Sequence, residues 1–148
     1  MTGWEVPVAL EELEAAVLRA CCTESRWPAQ IAAGVYAGVD FAIARPHLVI
    51  QLTVELPAEA APGGLHGRLI SRLSGLIRVN APRGDRLPAS TDEALVAGMV
   101  GLVGDHVRSG RLDRLSELRP ELVLLTLLPY LGFAEAQRWA NWAAEKSN

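Results

Sequence analysis

Lysine is almost missing from this chain: of its 14 basic residues only Lys146 is not an arginine. Acidic residues number 17, for a net charge of −3. That balance gives no general attraction to a polyanion and disfavours wholesale nucleic-acid binding. Cysteine is equally scarce. Cys21 and Cys22 are the only two, and neighbouring residues rarely satisfy disulfide geometry, so no oxidised framework is implied. Long uncharged runs are lacking too. Residues 94–104 and 122–134 fall short of the ~20 residues that a membrane span requires. The opening "MTGWEVPVALEELE" turns acidic before any apolar run develops, unlike a secretory leader, and a cytoplasmic location is the expectation.

Catalytic patterns are absent as well. His47, His66 and His106 lie in separate segments without metal-ligand intervals, and no Cys-x-x-Cys, His-Glu-x-x-His or phosphate-cradling glycine loop occurs. Gly98, Gly101 and Gly104 imitate a dinucleotide motif, but no strand precedes them and the helix cap lies upstream. The chain reads as a non-enzyme with no metal and no cofactor.

What is present is helix. Half of the 148 residues are apolar, enough for one ordinary domain that buries roughly 68–70% of its unfolded surface. A tail over residues 1–8 and one domain over 9–146 follow from the pattern. "ALEELEAAVLRACC" places Leu10, Leu13, Val17 and Cys21 on one stripe. "WPAQIAAGVYAGVDFAIARP" opens with a proline suited to a first helical turn, stops before Pro46, and is apolar almost all round. Such a helix runs through the middle of a domain. Within it Tyr36 and Asp40 share a side and are the first candidates to face a cavity.

"HLVIQLTVEL" fits both strand alternation and helical spacing, and because no second strand candidate exists to pair with it, helix is expected. Residues 65–79 form an amphipathic helix whose apolar side carries Leu65, Leu69, Leu73, Leu76 and Ile77. Around it Arg68, Arg72, Arg78, Arg83 and Arg86 face Asp85 alone, without interleaved aromatics, which reads as a solvated face before an anion or nucleic-acid site. Ser90 with Glu93 supplies a capping box for the following helix, and Gly110 is placed to end it. "RPELVLLTLLPYLG" starts a helix with Pro120 in its first turn and spreads leucines around the whole circumference. Last, "FAEAQRWANWAAE" carries a small-residue stripe through Phe133, Ala136, Ala140 and Ala144, with Trp139 and Trp142 off it.

The helix over 92–109 poses the sharpest question, because each interior glycine costs about 1 kcal/mol relative to alanine. Ala94, Ala97, Gly98, Gly101, Gly104, Asp105 and Arg108 fall on one side, and the bulky residues fall on the other. Two readings fit that bald side: a subunit interface, or a close crossing within the chain. The next helix, apolar on every side, favours the first, since it must touch its own core and something else. A two-fold interface is therefore expected through Gly98, Gly101 and Gly104 with Leu124 and Leu128, and with Asp105 and Arg108 pairing across it.

Three stretches taken in order, "WPAQIAAGVYAGVDFAIARPHLVIQLTVE", "LPASTDEALVAGMVGLVGDHVRSGR" and "LRPELVLLTLLPYLGFAEA", carry a family resemblance. Together they resemble the C-terminal half of TetR-family (tetracycline-repressor-like) regulators, over roughly residues 9–145. Pro129, Tyr130, Leu131 and Gly132, followed by Glu135 and Ala136, match that pattern's closing stretch. The resemblance implies an all-α bundle of about six helices that senses a small, mainly apolar effector and forms homodimers. Family members also carry an N-terminal helix-turn-helix that reads operator DNA, and residues 1–8 are too few to hold it. No DNA binding is then expected of this chain alone, which stands as part of a longer regulator, a truncated reading frame or a headless relative. The effector site is expected between the helices over 28–45, 46–56 and 92–109, with Tyr36, Asp40, His47 and Gln51 as orienting groups. The rival reading is a helical interaction module with a full interior and no ligand.

Overall fold

Apolar stripes at helical spacing fold here as they read. The computed structural model describes residues 5–51, 65–79, 81, 87–88 and 90–147, and among them seven helices and one 3-10 turn, with no strand. The chain is an all-α helical bundle. Helix α1 (Glu5–Cys21) buries Leu10, Leu13 and Val17, with Cys21 half-buried at the end of that stripe. Helix α2 (Trp27–Ala44) has proline in its first turn and stops at Arg45, whose backbone (φ −136°, ψ 64°) leaves the helical region as a residue before proline must. Helix α3 (Pro46–Ile50) restarts the coil directly. The start of "HLVIQLTVEL" is thus helical, and its remainder from residue 52 lies outside the described residues.

Helix α4 (Leu65–Arg78) is followed by α5 (Thr91–Arg108), a 3-10 turn (Leu112–Arg114), α6 (Leu115–Leu131) and α7 (Phe133–Ser147). Gly110 (φ +73°) and Gly132 (φ +82°) take left-handed angles after α5 and α6 that a side chain would resist.

Helix α2 lies in the middle, against α1, α3, α6 and α7, as an all-round apolar helix requires. Helices α6 and α7 pack as an antiparallel pair across the Gly132 turn, while α4 and α5 pack on each other, and α1 and α3 touch α4 and α5 respectively. The core is built from Trp27, Ile31, Val123, Leu127, Tyr130 and Ala140 at one end, and Val39, Val49, Val107, Leu115 and Leu122 at the other. A third group, Leu10, Leu13, Val17 and Leu69, lies under α1 and α4.

Two local expectations are corrected. Ser90 does not form a capping box: its backbone is already helical (φ −87°, ψ −4°), and its side chain makes no cap bond, which needs an extended residue. Asp92 takes that work instead, accepting from the Glu93 amide at 3.1 Å. Pro120 is not in a first turn, because α6 begins at Leu115 and carries both Pro120 and Pro129 inside it. Proline has no N–H to offer the carbonyl four residues back. Arg119 Nε donates to that carbonyl, Ser116 O, at 3.0 Å.

Candidate functional site

A cavity of about 140 Å³, partly open at the surface, lies among six of the helices and is lined by side chains from all three core groups. Helix α2 gives it a floor through Gly34, Val35, Gly38 and Phe41, and α5 gives Val96, Met99, Val100 and Val103. From α1 come Val17 and Cys21, from α3 Val49, from α4 Leu69 and Leu73, and from α6 Leu122 and Thr126. Among the described residues no charged side chain lines it, and almost none of the wall's reachable surface is polar.

Local sequence explains this wall. Gly34 faces α1 at close range: a Cβ there would stand 2.9 Å from Cys21 Sγ and 3.3 Å from Val17 Cγ1. Thr126, the one hydroxyl in the wall, is fully enclosed and donates to Leu122 O at 2.8 Å, with its oxygen 3.1 Å from Met99 Sδ. The Cys21 thiol is pushed above its usual range, mainly by burial and then by the neighbouring Cys22. It is held neutral there.

The polar residues singled out in the sequence lie elsewhere. Tyr36 and Asp40 do share a side of α2, but that side faces Arg119 of α6, whose guanidinium stacks 4.6 Å from the Tyr36 ring and bonds Asp40 at 2.9 Å. His47 is exposed on α3. Gln51 is half-buried after α3, its Oε1 enclosed without a partner among the described residues. None of the four is among the cavity's lining residues.

The small-residue side of α5 is open. Ala94, Ala97, Gly98 and Gly101 are exposed, and a Cβ at Gly98 or Gly101 would meet nothing within 4 Å. A close crossing within the chain therefore does not account for those two glycines. Gly104 differs: it is buried near the end of α5. Asp105 and Arg108 are spoken for within the chain, bonded to each other at 2.8 Å, with Arg111 also on Asp105 at 3.0 Å. On α6, Leu125 (41%) and Leu128 (39%) stay exposed while Leu124 is half-buried, so one side of that apolar helix is uncovered.

Of the arginines near α4, Arg72 pairs with Glu14 at 2.7 Å, Arg78 with Asp92, and Arg68 is exposed. Arg83 and Arg86 lie outside the described residues. Asp92 is buried and receives Arg78 Nε and an amino group at 2.7 and 2.8 Å, which hold its carboxyl below the usual carboxylate range. Next to this pair Trp27 Nε1 donates to Ile77 O at 3.0 Å and stands edge-on to Tyr130. Together they pin the end of α4 to α2 and to the start of α5. Among the described residues no three His, Cys, Asp or Glu side chains gather as metal ligands would. No helix described is long and apolar enough to cross a membrane.

Compared with protein-family models, with curated proteins and with solved structures, the chain matches none.

Proposed function

We propose that this chain is the effector-sensing and homodimerisation domain of a TetR-like regulator of the cytoplasm, without its DNA-binding head, and that the cavity takes a small, mainly apolar molecule. What carries the reading is the position of α5. One side of this helix lines the cavity through Val96, Met99, Val100 and Val103, and the opposite side is the uncovered flank of Ala94, Ala97, Gly98 and Gly101. A molecule that fills the cavity presses on the helix that a second subunit would cover. Occupancy then favours one placement of the paired subunits over another, provided that the two placements bind the molecule with different affinity.

Support also comes from the ordered stretches that resemble the family, and from the uncovered leucines of α6, which a second copy would shield. Catalysis has no place in this reading, and DNA enters only through a head attached to the chain. Solution mass at micromolar concentration, together with a thermal-shift panel of apolar compounds, tests it. A dimer stabilised by at least one compound is expected. A well-behaved monomer removes the dimer, and a panel without any shift leaves an interaction module without a ligand.

A further inference from the structure

Resting on that sensor reading, we infer that the cavity's ligand is a monocyclic aromatic hydrocarbon of benzene or toluene size, bound without a hydrogen bond. Three observations converge on that class. The first is size: an apolar space of about 150 Å³ accepts benzene, and this one, partly open at the surface, measures about 140 Å³.

The second is the state of the wall's polar atoms. Thr126 gives its only hydrogen to Leu122 O and has no exposed surface, and Cys21 offers a neutral thiol, which is a weak donor. A hydroxyl, amine or carboxylate turned against this wall loses water and finds no replacement partner among the described residues, so polar relatives of the ligand bind less well. Rejection of this kind needs no clash. The third is the softness of the wall. Phe41, Met99 and Cys21 bring one aromatic ring and two polarisable sulfurs to the space, and contacts of both kinds favour an aromatic guest over a saturated ring of similar volume.

Calorimetric titration and thermal shift of the full chain with benzene, toluene, cyclohexane, phenol and decanoate decide the matter. Benzene and toluene are expected to raise the melting temperature, to bind at least threefold more tightly than cyclohexane, and to bind at least tenfold more tightly than phenol. Phenol or decanoate binding as tightly as benzene overturns the inference while the sensor reading stands. Cyclohexane binding more tightly than benzene does the same. No shift with any of the five overturns both.

Position 38 locates the site. Gly38 lines the cavity, and a Cβ there meets only Val17 Cγ2, at an ordinary 3.8 Å. Gly38→Leu fills the space and is expected to abolish benzene binding with the helical circular-dichroism signal retained; benzene binding that persists in a folded Gly38→Leu places the guest elsewhere and overturns the inference. Should that variant not fold, Gly38→Ala trims the space by one methyl group and is expected to weaken toluene more than benzene. Equal affinities for both guests, unchanged from the parent chain, overturn it as well.

Discussion

Asp92 shows how much a single buried carboxylate settles. Its side chain is 4% exposed, while Arg78, which holds it, is 53% exposed, so the arginine head keeps its water and the carboxylate depends on the arginine. Asp92→Asn is expected to cost about 1.5–3 kcal/mol at neutral pH, the range for a hydrogen bond to a charged group. Because the folded carboxyl sits below the ordinary range, its contribution is complete above the unfolded value and is lost as pH falls through the folded one. Urea denaturation of both proteins from pH 7 down to 3 checks this: the gap between their midpoints stays constant at neutral pH and narrows in acid. A gap that widens in acid contradicts the pairing. Gly34 makes a second case. Gly34→Ala adds about 1 kcal/mol of helix propensity, but two short, packed side chains stand in the way of the new methyl group. Overpacking of that kind costs typically 1–3 kcal/mol. Net destabilisation by Gly34→Ala, relieved when Cys21→Ala is added, is the expected result of chemical denaturation.

Among the elements, α6 keeps two prolines inside a continuous helix, and at Pro120 a neighbouring side chain compensates. Arg119 does three things at once: it caps the carbonyl that Pro120 leaves free, covers Tyr36 and neutralises Asp40. Arg119→Met keeps most of the apolar stem and removes all three, with an expected loss of about 1–2 kcal/mol on denaturation. Helix α5 carries a different prediction. Within one chain Gly101→Ala meets nothing, so the subunit gains up to about 1 kcal/mol in stability. Gly101→Leu is expected to raise the dimer dissociation constant at least tenfold in sedimentation while circular dichroism stays unchanged. A dissociation constant that does not move places the subunit contact away from this flank.

For the whole molecule, the cavity and the open flank share helix α5, so on the sensor reading effector and partner subunit are expected to be coupled, and coupling of this kind is reciprocal. If the effector tightens the dimer by some factor, dimerisation tightens the effector by the same factor. Titrating effector at protein concentrations below and above the dimer constant measures one side, and sedimentation with and without effector measures the other. Unequal factors rule the shared-helix account out. A guest at 100 times its dissociation constant stabilises the fold by about 2.7 kcal/mol, which for a chain of this size is a melting shift of about 5–11 °C.

The helices follow from the sequence alone, because each rests on neighbours within a few residues: the Leu10, Leu13, Val17 stripe, Pro28 opening α2, Pro46 closing it, and Gly110 beyond α5. So does the bareness of α5, which is periodicity and nothing more. The early start of α6 was not legible, since Pro120 ordinarily marks a beginning and only a side-chain bond to Ser116 carries the helix past it. Nor was the cavity. Tyr36 and Asp40 drew attention as polar groups in an apolar helix, yet their partner, Arg119, is 79 residues beyond Asp40, and the fold turns them toward it. A void is what remains when six helices with fixed spacings fail to fill the space between them, so no stretch of chain encodes it. Local spacing determined the rods and their faces, and only the packing of distant segments decided which face meets an arginine and which surrounds an empty volume.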